Sequence, residues 1–170
     1  DIFSFTGGSF VHNNGTLRFP HKIGRSYGRT QSLAAELPLM LYNFTIAGGN
    51  IGSSKAGYYD VRFKTGEEGS ITIVNDFAIL PDDERYTIRL MGDEVILWGD
   101  LLATVGIDGG TARIVFDGSQ QQHYTTHGGR LPHLVIENMN GVVPLNTTNM
   151  AVSVFELNGG EFVAPSGVLD

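Results

Sequence analysis

Apolar and polar residues alternate with period two along most of this chain, the spacing of strands with one face buried. Ile2-Phe3-Ser4-Phe5 opens on that pattern and residues 70–79 extend it over ten positions. Shorter runs at 37–46, 86–90, 94–98, 101–105, 111–116, 131–136, 142–143 and 151–157 complete a series of predicted strands, punctuated by Gly, Pro, Asn and Asp. Met91-Gly92-Asp93 has the length of a hairpin turn between two of them, and Pro81-Asp82-Asp83-Glu84 reads as a turn with proline at its first central position. Only 30–37, with Gln31-Ser32-Leu33-Ala34-Ala35-Glu36 ahead of Pro38, reads as two turns of helix.

The pattern also repeats on a longer scale. Phe3, Gly7, Gly8, Phe10, Val11 and Gly15 match Phe155, Gly159, Gly160, Phe162, Val163 and Gly167 at a constant offset of 152. A third, weaker copy of the phrase runs from Asp108-Gly109-Gly110 to Phe116-Asp117-Gly118. The copies near 2 and near 108, the first two along the chain, are each followed by a polar stretch and a strand that begins Leu37-Pro38 or Leu131-Pro132. Residues 1–170 are therefore read as one segment with units starting near 2, 108 and 154.

Short strands with Gly turns suit either an antiparallel β-sandwich or a right-handed parallel β-helix. Phased repetition favours the solenoid, because each coil buries its apolar face only against its neighbours. The expected architecture is all-β, a solenoid of about six to eight coils. Its inward positions are expected to include Phe10, Phe44, Ile46, Ile71, Ile73, Ile96, Ile114, Phe116, Val135, Ile136, Val152 and Val154. Composition agrees: 23 glycines with only 17% charged residues favour tight turns over helix interiors.

Two phrases resemble a known kind of protein. Gly7-Gly8-Ser9-Phe10-Val11-His12-Asn13-Asn14-Gly15-Thr16-Leu17-Arg18-Phe19 and Leu41-Tyr42-Asn43-Phe44-Thr45-Ile46 resemble segments of repetitive bacterial cell-surface and secreted β-solenoid proteins, of the adhesin or autotransporter-passenger kind. Phe116-Asp117-Gly118-Ser119-Gln120-Gln121, followed by 131–136, is similar again. The resemblance implies an extracellular, cell-surface location and carries no shared catalytic residues. Residues 20–38 and 52–95 depart from the simple repeat, and loops 20–38, 52–69 and 118–132 are expected to present binding groups to a glycan or surface protein.

A net charge of −7 argues against a broad basic face for nucleic acid. No apolar run is long enough to span a membrane as a helix, and no signal-like segment opens the chain, so it is expected to be a stretch of a longer protein. Without cysteine there is no disulfide, thiolate metal site or Cys nucleophile. His123 and His127 stand four apart with His133 nearby, but outside a helix that spacing does not make a metal pair, and no metal or cofactor is expected. The candidate ligand-binding residues are Tyr58, Tyr59 and Arg62 in one stretch and His123, Tyr124 and His127 in another. Trp98 is assigned to the core or a coil edge. No nucleophile elbow or phosphate loop is present. The sequons at Asn14, Asn43 and Asn146 matter only in a eukaryotic secretory route.

The expected function is a non-catalytic structural or adhesive segment whose cut ends favour end-to-end self-association. The alternatives are a polysaccharide-active β-helix enzyme, which needs carboxylates from successive coils to meet, and a carbohydrate-binding sandwich module.

Overall fold

In the computed structural model, residues 2–20, 29–47, 57–80, 86–104 and 106–170 are described. The chain winds through a sequence of short strands. β1 (Ile2–Phe5) and β2 (Thr16–Pro20) form the opening coil. β3 (Arg29–Ala35), β4 (Pro38–Leu41) and β5 (Asn43–Ala47) make the next, one strand on each of three faces. β6 (Gly57–Thr65), β7 (Ser70–Ile73) and β8 (Asp76–Leu80) repeat that path. So do β9 (Tyr86–Gly92), β10 (Glu94–Leu97) and β11 (Asp100–Ala103), then β12 (Ile107–Gly110), β13 (Arg113–Phe116) and β14 (Gln122–Thr126). β15 (Arg130–Ile136) and β17 (Ala151–Leu157) each run across the first and second faces, with β16 (Val142–Pro144) on the third between them.

Every ladder joining these strands is parallel. A parallel neighbour requires a long crossover, and here the crossover is a full turn around the core. The antiparallel sandwich is thereby replaced by a parallel β-helix. β15 pairs with both β12 and β13, which fuses the first two faces into an 11-stranded sheet beside a six-stranded third face. Coil length is uneven: Ile2 pairs with Ser32, 30 residues on, whereas Glu94 pairs with Arg113, 19 residues on. The connections of the longer coils, 21–28, 48–56 and 81–85, each join the third face to the first and lie outside the described residues, as do Asp82, Asp83 and Glu84.

The interior is a set of columns built by register. Phe44 sits over Phe77 with ring centroids 5.5 Å apart, and Phe19 and Phe63 meet Phe44 edge-on. Ile46 over Ile79, and Ile114 over Leu134, extend the same packing. Burying such side chains contributes roughly 1.5–3 kcal/mol each against the entropy of ordering the chain.

Several expectations are corrected by this geometry. Residues 30–37 are not helical: most belong to β3, held between β1 and β6 by ladders that satisfy its backbone, with Leu33 and Ala35 inward. A helix of two turns has no comparable way to repay its nucleation. The stretch around Met91-Gly92-Asp93 is a corner and not a hairpin, because β9 and β10 pair with different strands of earlier coils. Within the expected loops 20–38, 52–69 and 118–132, residues 29–35, 57–65, 122–126 and 130–132 are strand, belonging to β3, β6, β14 and β15, while 21–28 and 52–56 lie outside the described residues. Among the inward residues, Phe10 is 39% exposed and Val154 48%, while Ile96 is half-buried. Phe10 lies in the stretch between β1 and β2, where no strand forms against β4. Val154 registers with His133 on the outer side, just past the corner of β17.

The repeated phrase also has a different meaning from its spacing. Its first copy enters on the first face, with Phe3 opposite Leu33, and its last on the second, with Phe155 opposite Leu134. The copies mark corners of one design, one face out of step, where a Gly-Gly pair turns the chain.

Candidate functional site

Where each coil leaves the second face for the third, a polar and aromatic strip runs parallel to the axis. Register sets Thr16 beside Asn43 and Asp76 beside Asp100. Asn43 immediately precedes the Phe44–Phe77 pair, and His123 precedes Tyr124 opposite Leu101, so the outer column reads Thr16, Asn43, Asp76, Asp100, His123. The groups are wired to one another. Asn43 Nδ2 donates to Thr16 Oγ1 at 3.2 Å, and Asn43 Oδ1 accepts from Asn75 Nδ2 at 2.9 Å and from the Asp76 N–H at 3.2 Å. The His123 N–H donates to Asp100 Oδ1 at 2.7 Å, and its Nδ1 lies 3.4 Å from Asp100 Oδ2. Loss of hydration, and secondarily the Asp100 carboxylate one coil away, push the Asp76 carboxyl above its usual range.

Beside this column stand two aromatic side chains. Backbone bonds from Val74 to Leu41 and from Trp98 to Ile73 place Tyr42, Val74 and Trp98 at the same point of three successive coils. Trp98 is 43% exposed, which makes it a coil-edge residue. At the opening coil the strip deepens into a cavity of about 140 Å³ lined by Phe10, His12, Gly15, Thr16, Leu17, Leu41, Tyr42 and Asn43. Its wall is set by a tight turn. Asn13 and Asn14 adopt φ of 46° and 55°, and the Gly15 N–H closes on His12 O at 2.8 Å, the geometry of a type I′ turn. The Asn14 N–H donates to His12 Nδ1 at 3.0 Å, which leaves the proton on Nε2. The His12 ring stacks on Tyr42 with centroids 5.4 Å apart and planes 27° from parallel.

The sequence-predicted ligand residues are not gathered in one place. Tyr59 and Tyr124 are buried, and neither belongs to an exposed binding surface. Tyr59 points inward from β6 and donates from its hydroxyl to Gln31 Oε1. Tyr124 stacks on Phe162 at 5.3 Å and donates to Val163 O at 2.9 Å. Burial raises both phenols, Tyr124 up to about 12 and Tyr59 further. The parity of each strand decides this: Tyr59 shares its side with Val61 and Phe63, and Tyr124 registers with core Leu101. The Tyr58 side chain lies outside the described residues. Arg62 is exposed on the outer first face, registered with Ser32 and Met91, far around the coil from the strip. His123 joins the strip, whereas exposed His127 follows β14; four residues along a strand span about 13 Å, too far to share one ion. His133 sits on the second face with Nε2 2.9 Å from Glu156 Oε1.

Reading the sequence missed the pocket residues His12, Thr16, Tyr42 and Asn43. Their signal was present in the two phrases His12-Asn13-Asn14-Gly15-Thr16 and Tyr42-Asn43, which become neighbours once coils of 27 residues bring Thr16 to Asn43. The fold thus defines a parallel β-solenoid with one lateral strip of polar and aromatic groups. No protein-family model matches the chain, and no curated protein or solved structure matches it either. Among the described residues no helix is long and apolar enough to cross a membrane.

Proposed function

We propose that this chain is a non-catalytic structural and adhesive segment of a large secreted or surface-attached bacterial protein. It serves as a stiff spacer that presents its lateral strip to a glycan or a surface protein. The observation that supports this reading is the unbroken parallel ladder from β1 to β17 around one apolar core. Such a stack resists bending because each coil is bonded to the next through parallel ladders on all three faces. The strip lies along the stack, so a long partner meets it side-on.

A second reading is favoured by one feature, the neighbouring Asp76 and Asp100 with His123 beside them. A carboxyl pushed upward beside a second carboxyl is the arrangement used to cleave glycosidic bonds. Beads coated with the protein, applied to polysaccharide-coated and protein-coated surfaces, separate the two when soluble reducing ends are assayed in the same wells. Adherence without release of sugar supports the adhesive reading. Release that disappears in Asp76→Asn replaces it with the enzymatic one, and failure to adhere to either surface overturns adhesion.

A further inference from the structure

Resting on the adhesive reading, the geometry points to a specific ligand class: we propose that the His12–Tyr42 pocket binds one ring of a neutral oligosaccharide whose chain continues along the strip toward Trp98. The argument begins with charge. None of the eight lining residues is Asp, Glu, Lys or Arg, in a protein of net charge −7 whose neighbouring column carries Asp76 and Asp100. An anionic ligand would be repelled along the strip and a cationic one would find its carboxylates outside the pocket, so the pocket itself suits an uncharged guest.

Shape and hydrogen bonding narrow the class. Of the lining residues, Phe10, Leu17 and Leu41 are apolar, and His12, Thr16, Tyr42 and Asn43 carry polar atoms. His12 offers Nε2–H because Nδ1 is taken by Asn14, Thr16 Oγ1 accepts from Asn43 and keeps its own O–H to donate, and the Tyr42 hydroxyl has no partner among the described residues. A pyranose presents the matching pair of surfaces, a face of C–H bonds and an edge of hydroxyls that both donate and accept. The cavity, at about 140 Å³, lies below the ~300 Å³ at which drug-sized pockets begin, which fits one ring and not a larger molecule. The stacked His12–Tyr42 pair holds the platform rigid before binding, which lowers the entropy lost on association.

Direction follows from register. Trp98 occupies the position of Tyr42 two coils on, roughly 10 Å along the axis at the spacing of hydrogen-bonded strands. A short oligosaccharide bridges that gap, with Asn75 and Asp76 beside its hydroxyls.

Titrating the whole chain with neutral cello-, xylo-, manno- and chito-oligosaccharides tests the assignment by calorimetry and by the fluorescence of Trp98, the sole tryptophan. At least one series is expected to bind, with longer members changing the Trp98 emission and the monosaccharide leaving it unchanged. Tyr42→Ala is expected to weaken binding at least about tenfold, a loss of one packed aromatic contact. Thr16→Val, which keeps the shape and removes one hydroxyl, is expected to weaken it less and to retain the parent melting temperature. Binding that is undiminished in both variants places the sugar elsewhere and overturns the pocket while leaving adhesion standing. Absence of binding by every series, with bead adherence confined to protein surfaces, overturns the sugar and preserves the spacer.

Discussion

Asn138 Nδ2 donates to Gln122 Oε1 at 2.7 Å, joining two side chains that are both buried at the corner between the second and third faces. Gln122 Oε1 also accepts from the Gly118 N–H at 2.8 Å, and its Nε2 donates to the carbonyls of Leu97 and Gly99. Asn138 reaches Gln120 O and receives the Asn140 N–H, each at 2.7 Å. The pair thus ties successive coils together through backbone groups that a turn would otherwise leave unsatisfied.

Gln122→Leu is expected to destabilise the protein by about 2–4 kcal/mol, since it fills the space yet orphans several buried groups at about 1–3 kcal/mol apiece. Gln121→Leu, one residue earlier and exposed, is the control and should melt like the parent. Denaturant melts of the two variants make the comparison.

Gly110 and Gly8 both have positive φ, 124° and 84°, but differ in what surrounds them. A Cβ on Gly110 would stand 1.8 Å from Leu90 O, whereas one on Gly8 meets nothing within 4 Å. Gly110→Ala is expected to cost several kcal/mol or prevent folding, and Gly8→Ala only the roughly 1 kcal/mol of an unfavourable backbone conformation. Equal melting temperatures for the two would contradict the coil packing.

Raising pH should unfold the protein through its buried phenols. The folded pKa values of Tyr59 and Tyr124 lie above the unfolded value near 10, so their contribution is complete below pH 10 and is lost as pH climbs toward about 12. Phenolate absorbance is expected to show Tyr59 and Tyr124 ionising only with loss of the β circular-dichroism signal.

Asp76 follows the same sign in the carboxylate range. Its carboxyl is raised by desolvation and then by Asp100, so the folded state prefers the proton, and the stability this supplies at low pH is lost as pH rises through the folded pKa. Asp76→Asn is therefore expected to raise the melting temperature modestly at pH 7 and to leave it unchanged at pH 3. A fall at pH 7 would mean that the carboxylate has a stabilising partner that outweighs its desolvation and the repulsion of Asp100.

Isolated as 170 residues, the chain is expected to associate end to end. Ile2 at one end and Leu157 and Val168 at the other are more than half exposed, and among the described residues no strand pairs with the outer edge of β1. Sedimentation should show mass growing with concentration, and Leu157→Lys should suppress it. A single monomeric species at high concentration for the unaltered chain would count against open ends.

Much of the architecture was legible in periodic signals: alternation identified the strands, and the recurring Gly-Gly corners favoured a solenoid, although their spacing is not a coil repeat. What alternation does not carry is which side of a strand faces in, once a corner shifts the parity. Tyr58-Tyr59 and His123-Tyr124 look like paired surface groups in sequence, yet Tyr59 and Tyr124 lie in the core. Gln120-Gln121-Gln122 is three identical residues of which only the last is buried, a distinction made by Asn138 and Gly118 and by nothing local. The pocket escaped for a related reason, since His12 and Tyr42 become neighbours only through a coil length that no motif announces.

The uneven coils have one more consequence. Connections of different length enter the stack between the third face and the first, while the pairing of the strands before and after them stays parallel and in phase. An insertion or deletion at that corner changes the silhouette of the rod without rephasing its ladder, so in this design length varies most at one seam, while the strands that carry the lateral strip stay in register from Thr16 beside Asn43 to Asp76 beside Asp100.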